Sequence, residues 1–162
     1  MEEIAVLDII LRMGLAGLAG AALGLERNIK KKPLDFRSNI IVAVTGALAV
    51  MIMLQLAADL PLNEPGLGID PTRAVQSVLM GIAFLGSATI LKRENRVIGT
   101  ATGATVWACG GIGVAFGCGY YLMGILATLY IFLTLTVSDL WMPEISLKND
   151  LPDDVDSETK SL

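Results

Sequence analysis

Long apolar runs alternate with short polar links along the chain. Five runs are long enough to cross a bilayer, over residues 4–25, 38–60, 74–91, 98–117 and 120–138. Each has helical length, so the pattern predicts an all-α fold with five transmembrane helices. The fourth run is the least hydrophobic, being rich in Gly, Ala and Thr. A helix of that composition belongs inside a bundle, where small residues let backbones approach. The third run is introduced by Asp70-Pro71-Thr72-Arg73. Asp70 suits the N-cap, where a carboxylate accepts from first-turn amides, and Pro71 suits the first helical position, which needs no donor. Arg73 then stands at a water interface, one turn from Asp70.

Composition agrees with this pattern. Of 162 residues, 54% are hydrophobic and only 17% charged, and the mean hydropathy is +0.65. A soluble domain carries about 25% charged residues. Residues 1–140 therefore form one transmembrane domain. Residues 141–162 are acidic and broken by Pro, and are expected to be a mostly disordered cytoplasmic tail. The net charge of -4 says little, because the position of each charge matters more than the sum. The opening Met-Glu-Glu-Ile lacks the cationic start of a signal peptide, so the first run reads as a retained helix. With no histidine, the common zinc patterns and histidine-based triads are excluded. Cys109 and Cys118 lie too far apart along one helix to form a disulfide.

Basic residues set the orientation. Arg27, Lys30, Lys31, Lys32 and Arg37 fill the first link, and Lys92, Arg93 and Arg96 the third. The second link has Arg73 against Asp59, Glu64 and Asp70, and the fourth has no Lys or Arg. The positive-inside rule puts the first and third links in the cytoplasm, with the N-terminus outside and the C-terminus inside. The triple lysine is topogenic charge, within reach of anionic headgroups, and too short to argue for nucleic acid.

Charges within the spans are the candidate functional features. Asp8 and Arg12 are four apart and share a face of the first helix. Arg12 lies roughly a third of the way into the bilayer, where an unpaired charge costs about 2.5–3.5 kcal/mol on insertion scales. It either snorkels to the outer interface with Asp8 or joins Asp70 and Arg73 in a polar cluster. The cluster is the expected arrangement, because snorkelling residues lie closer to helix ends. At the inner side Glu26, Arg27 and Arg37 could form an interfacial network. The alternative there is topogenic charge with Ser38 as a helix cap. Thr100, Thr102, Thr105 and Trp107 add hydroxyls and an indole N–H to a seam on the fourth helix, although threonines also bond their own helix. Gly17, Gly20 and Gly24, then Gly99 with Gly103 and Gly113 with Gly117, are spaced for close helix contact. These glycine faces make a homo-oligomer possible.

The ordered blocks Arg12…GLERN, FRSNIIV, DPTR…GIAFLGSATI and VIGTATGATVW…GIGVAFGCG resemble the membrane domain of the MgtC/SapB family of bacterial inner-membrane proteins. The resemblance covers about residues 5–138. Arg12, Glu26 and Arg27 fall on the family's first-helix pattern, and Arg37 on its LRT-like block. Asp70, Pro71 and Arg73 fall on its DPxR block, and Gly81, Phe84, Leu85 and Gly86 on its third helix. Gly99, Thr102 and Trp107 fall on its GLTT…LW block. The sequence departs from the family at Asn39, where histidine is usual, and at Ser77, where glutamine is usual. Ala83 and Ala88 replace small glycines, and Ala101 replaces a threonine. Longer members carry a soluble ACT-like domain beyond the point where this chain stops.

The resemblance implies a non-enzymatic factor in adaptation to low magnesium, acid or intracellular stress. It would act through other integral membrane proteins, the F-type ATP synthase among them. A second expectation is a small Mg²⁺ or proton transporter, with Asp8, Arg12, Asp70 and Arg73 lining an outer vestibule. Acids and arginines alternate there, which suits structure better than an acidic conduction ring. An intramembrane hydrolase would need a base beside Cys109, and no candidate base lies near it in the sequence. No catalytic residue, cofactor or metal ligand is expected.

Overall fold

The computed structural model describes residues 5–29, 36–59, 70–93 and 96–141. They form five helices: α1 (Val6–Ile29), α2 (Phe36–Asp59), α3 (Pro71–Ser87), α4 (Thr100–Gly117) and α5 (Tyr121–Trp141). A short antiparallel hairpin, β1 (Leu91–Arg93) with β2 (Arg96–Ile98), joins α3 to α4. Among the described residues, α1 and α2, at 24 residues each, are the helices long and apolar enough to cross a membrane by length and composition.

α1, α2 and α4 make the central layer, with α3 packed mainly on α4 and α5 on α1 and α4. The packing is set by missing side chains. A Cβ on Gly20 would lie 2.7 Å from the Asn39 carbonyl oxygen, and one on Gly24 2.9 Å from Phe36 backbone. From α4, a Cβ on Gly113 would strike the Ala43 carbonyl and one on Gly117 would lie 2.6 Å from that of Ala47. Glycines of both runs thus meet one face of α2, where Phe36, Ile40, Ala43 and Ala47 follow at helical spacing.

The result is a bundle with small residues inside and large ones outside. Ala16, Ala19, Ala43, Ala47 and Cys109 are buried, and Phe116, Leu23 and Val50 are the largest apolar side chains that are fully buried with them. Leu18, Ile41, Phe84, Leu122 and Tyr130 project outward. In water this distribution would be reversed, because burying large apolar side chains stabilises a core most. In a lipid surround helices gain by close backbone contact instead.

Several boundaries differ from the expected runs. α1 continues four residues beyond Leu25, so Glu26 and Arg27 are inside the helix. Ser38 is the third residue of α2 and therefore no N-cap. The third run, expected to residue 91, stops at Ser87. The backbone there turns, with Thr89 N–H donating to Gly86 O and the Thr89 hydroxyl to the same carbonyl. Leu91 and Ile98, expected in helices, pair across the hairpin. Apolar β-capable residues can be told from helix residues only by length, and the apolar run continued without a break in composition. Trp141 closes α5 rather than opening a tail. The acidic tail beyond it, Lys30 to Lys32 and the second link before Asp70 lie outside the described residues.

Candidate functional site

Two arginines of α1 clamp α4, one near each end of the bundle. At the first end Arg12 Nη1 donates to the Gly117 carbonyl oxygen at 2.7 Å. Gly117 is the last residue of α4, so its carbonyl has no intrahelical partner and carries the negative end of the helix dipole. A guanidinium there satisfies both needs. The Asp8 carboxylate pairs with Arg12 Nη2 at 2.6 Å, and the Tyr121 hydroxyl donates to its other oxygen at 2.7 Å.

The turn after α4 makes room for this centre. Gly119 has φ +81°, its N–H donates to Phe116 O, and Tyr120 N–H donates to Ala115 O. This paired pattern ends a helix with a left-handed residue, which glycine adopts without a Cβ penalty. A Cβ on Gly119 would sit 3.3 Å from the Arg12 guanidinium. The turn therefore delivers Tyr121 to Asp8 and lies close over Arg12. Sequence reading found Asp8 and Arg12 but missed Tyr121 and the Gly117 carbonyl. The signal for the latter was Gly-x-Gly at the end of an apolar run.

At the other end Arg27 Nη2 donates to Thr102 Oγ1 at 2.8 Å, and both residues are buried. Glu26 is also buried, and Asn39 on α2 accepts from the Cys109 thiol at 3.6 Å. The interval from Arg12 to Arg27 equals that from Thr102 to Gly117, roughly 22 Å of helix at about 1.5 Å per residue. Antiparallel α1 and α4 are therefore tied at matching heights, with the alanine and glycine seam between the ties.

The expected groupings are rearranged. Asp8 and Arg12 meet each other, but among the described residues neither meets Asp70 or Arg73. Those two sit together at the start of α3, where Arg73 is largely exposed and its Nε lies 3.7 Å from Asp70 Oδ2. α3 packs on α4 and α2 rather than on α1, which keeps the two pairs apart. Asp70 is the N-cap as expected, accepting from the Thr72 amide at 2.9 Å and the Thr72 hydroxyl at 2.6 Å. The Thr72 hydroxyl, with the Thr72 amide, holds the Asp70 carboxyl below its ordinary range.

Glu26 and Arg27 are buried in the bundle, and Arg37 is exposed in the first turn of α2. The proposed inner pair and the fourth-helix seam are one place, because Arg27 reaches Thr102. Gly99 and Trp107 lie apart from that contact. Gly99 is the N-cap of α4 at φ +88°, wedged against the Thr89 carbonyl. Trp107 is half exposed and lines a groove of about 440 Å³ with Tyr130 and Thr134. Thr105 is buried but bonds its own helix at Ala101 O.

Small residues inside, large apolar residues outside and charges tied inward define the class: a helical membrane protein. The chain belongs to the MgtC family, whose model matches residues 13–141. It is 34% identical over 128 residues to protein SapB of Bacillus subtilis, covering 78% of this chain and 55% of SapB. It is 32% identical over 130 residues to YhiD of Escherichia coli K12, covering 80% and 60%, and 30% identical over 130 residues to protein MgtC of Salmonella typhimurium LT2, covering 80% and 52%. The chain thus spans little more than half the length of these relatives. No solved structure matches it significantly.

Proposed function

We propose that all five helices cross the bacterial inner membrane, with the N-terminus outside and the C-terminus in the cytoplasm, and that the chain works without catalysis by engaging other integral membrane proteins. The role would be adaptation to magnesium limitation or intracellular stress, with the F-type ATP synthase one candidate target. The observation that carries this reading is the inward commitment of the spanning arginines. Arg12 is committed to Asp8 and Gly117, and Arg27 to Thr102, while the outward surface is an apolar belt. Such a belt suits lipid and the helices of other membrane proteins.

The relative YhiD, named for a proposed magnesium-transport role, favours a second reading in which the chain moves Mg²⁺ or protons. The two readings separate in one pair of measurements. Photocrosslinking from Phe84 or Leu122 in native membranes should trap a defined membrane protein. Liposomes holding the purified chain should show no Mg²⁺ or proton flux above empty vesicles. Flux that falls on Arg12→Leu substitution, with no trapped partner, would replace the first reading by the second.

A further inference from the structure

The turn at Gly119 joins α4 to α5 at one end of the bundle. Toward the other end, the first half of α4 and the second half of α5 leave a groove of about 440 Å³ between them. That volume falls within the roughly 300–1,000 Å³ of small-molecule sites. Ala101 and Ala104 line the groove and are exposed, so α4 leaves the space there by offering only methyl groups. Trp107 and Tyr130 border the same space with large aromatic rings.

The polar groups of the groove are of two kinds. The Thr105 hydroxyl donates to Ala101 O and that of Thr134 to Tyr130 O, each at 2.8 Å, so both are satisfied by their own helices. Among the described residues the Trp107 indole N–H and the Tyr130 hydroxyl meet no acceptor. In water such exposed donors would be solvated. In a bilayer their depth forbids it. Trp107 is seven residues from the start of α4 and Tyr130 eleven from the end of α5, roughly 10 and 16 Å along their helices at about 1.5 Å per residue. Tryptophan and tyrosine ordinarily keep their polar ends at the membrane–water interface. These two stand in hydrocarbon, where an unmet donor is costly. The outward-facing Leu18, Phe84 and Leu122 carry no such donor.

We propose that the groove binds a quinone dissolved in the bilayer, with its ring against Trp107 and Tyr130 and its carbonyl oxygens accepting from their N–H and O–H. This rests on the five-span reading. The chemistry of the groove selects the occupant. An acyl chain fills apolar space but has no acceptor at that depth, since its ester lies near the headgroups. A helix of another protein brings carbonyls already bonded within itself. An oxidised quinone is planar and soluble in hydrocarbon and carries two acceptors, so it matches the aromatic rings and both donors at once.

The test follows tryptophan emission of the full chain in phosphatidylcholine vesicles, with Trp141→Phe leaving Trp107 as the single tryptophan. Titrated with decylubiquinone, a quencher, the emission should fall along a saturable curve. Decylbenzene, which has a ring and tail without the carbonyls, should not displace the quinone at equal concentration. Tyr130→Phe should weaken binding about fivefold. Ala104→Leu, at an exposed position, should fill the groove and leave only the linear decline of random collisions. Unchanged helical circular dichroism and elution would show that these variants fold. A linear decline in the parent would overturn the proposal. So would a saturable one that Ala104→Leu leaves unchanged or that decylbenzene abolishes. Lipids carrying a nitroxide near the chain end measure the depth of Trp107 separately. Strong quenching by them without saturable quinone binding would sink the groove proposal alone, while none at all would remove the five-span reading with it.

Discussion

The two ends of the α1–α4 contact solve the same problem differently. At the Arg12 end the guanidinium has a carboxylate four residues away on its own helix, a tyrosine hydroxyl bracing that carboxylate, and a helix-terminal carbonyl. At the Arg27 end its contact with α4 is a neutral hydroxyl, and the pair is buried in the bundle. The first centre uses charge against charge where the bundle is partly open. The second uses a neutral acceptor, the Thr102 hydroxyl, inside the bundle. A buried cation resting on a neutral partner is sensitive to the loss of that partner, whereas an ion pair near a helix end has alternatives.

The largest expected effect comes from the spacer on which both ends depend. Gly113→Leu would drive a side chain into the Ala43 backbone and should prevent recovery of monodisperse protein, whereas Gly14→Leu, facing open space, should elute as the parent does. Equal recovery of the two variants would show that the close α2–α4 contact is not required.

Smaller effects read out the two clamps by the reactivity of the Cys109 thiol, which is fully buried in the native bundle. Thr102→Val, which leaves Arg27 without that hydroxyl, should destabilise by about 2 kcal/mol, while Arg27→Met, which removes the charge along with its need, should cost less. If Arg27→Met proves the more damaging, the buried cation has a role beyond its bond to Thr102. Arg12→Lys keeps a cation for Asp8 but loses the fixed fork that also reaches Gly117, and should cost about 1 kcal/mol. Thiol-labelling midpoints that match the parent would remove the carbonyl clamp from the account. Tyr121→Phe should lower stability by about 0.5–1 kcal/mol, since the Asp8–Arg12 pair persists without the hydroxyl.

The smallest effect lies at Asp70, away from both clamps. Its carboxyl is held below the ordinary value of 3.8, so its capping contribution is full above that pH and is lost as pH falls through the lowered value. Asp70→Ala should therefore differ from the parent at neutral pH, and the two should converge in acid. A difference that persists in strong acid would mean that the carboxylate is not the capping group.

Much of the bundle was legible in the sequence where one element suffices to explain a feature. The apolar runs that form α1 and α2, the Asp70-Pro71 start of α3 and the Asp8–Arg12 pairing are each contained in one continuous stretch of sequence. The hairpin was hidden, because Leu91 and Ile98 extend apolar runs that look helical until the Gly86–Gly103 contact fixes where the chain must turn. The joining of Arg27 to Thr102 was hidden as well. Its two halves were each singled out, but nothing local says which height of α4 faces Arg27. Trp107 was misplaced for the same reason, since being on the fourth helix does not say which side faces the core.

By itself the sequence determined the membrane class, five helices and the charges that had to be accommodated, because these follow from hydropathy, length and local capping. Only the tertiary structure decided which charges meet. Helix pairing and vertical register are set by backbone contacts at Gly20, Gly24, Gly113 and Gly117. That register puts Gly117 opposite Arg12 and Thr102 opposite Arg27, and leaves Asp70 and Arg73 to each other.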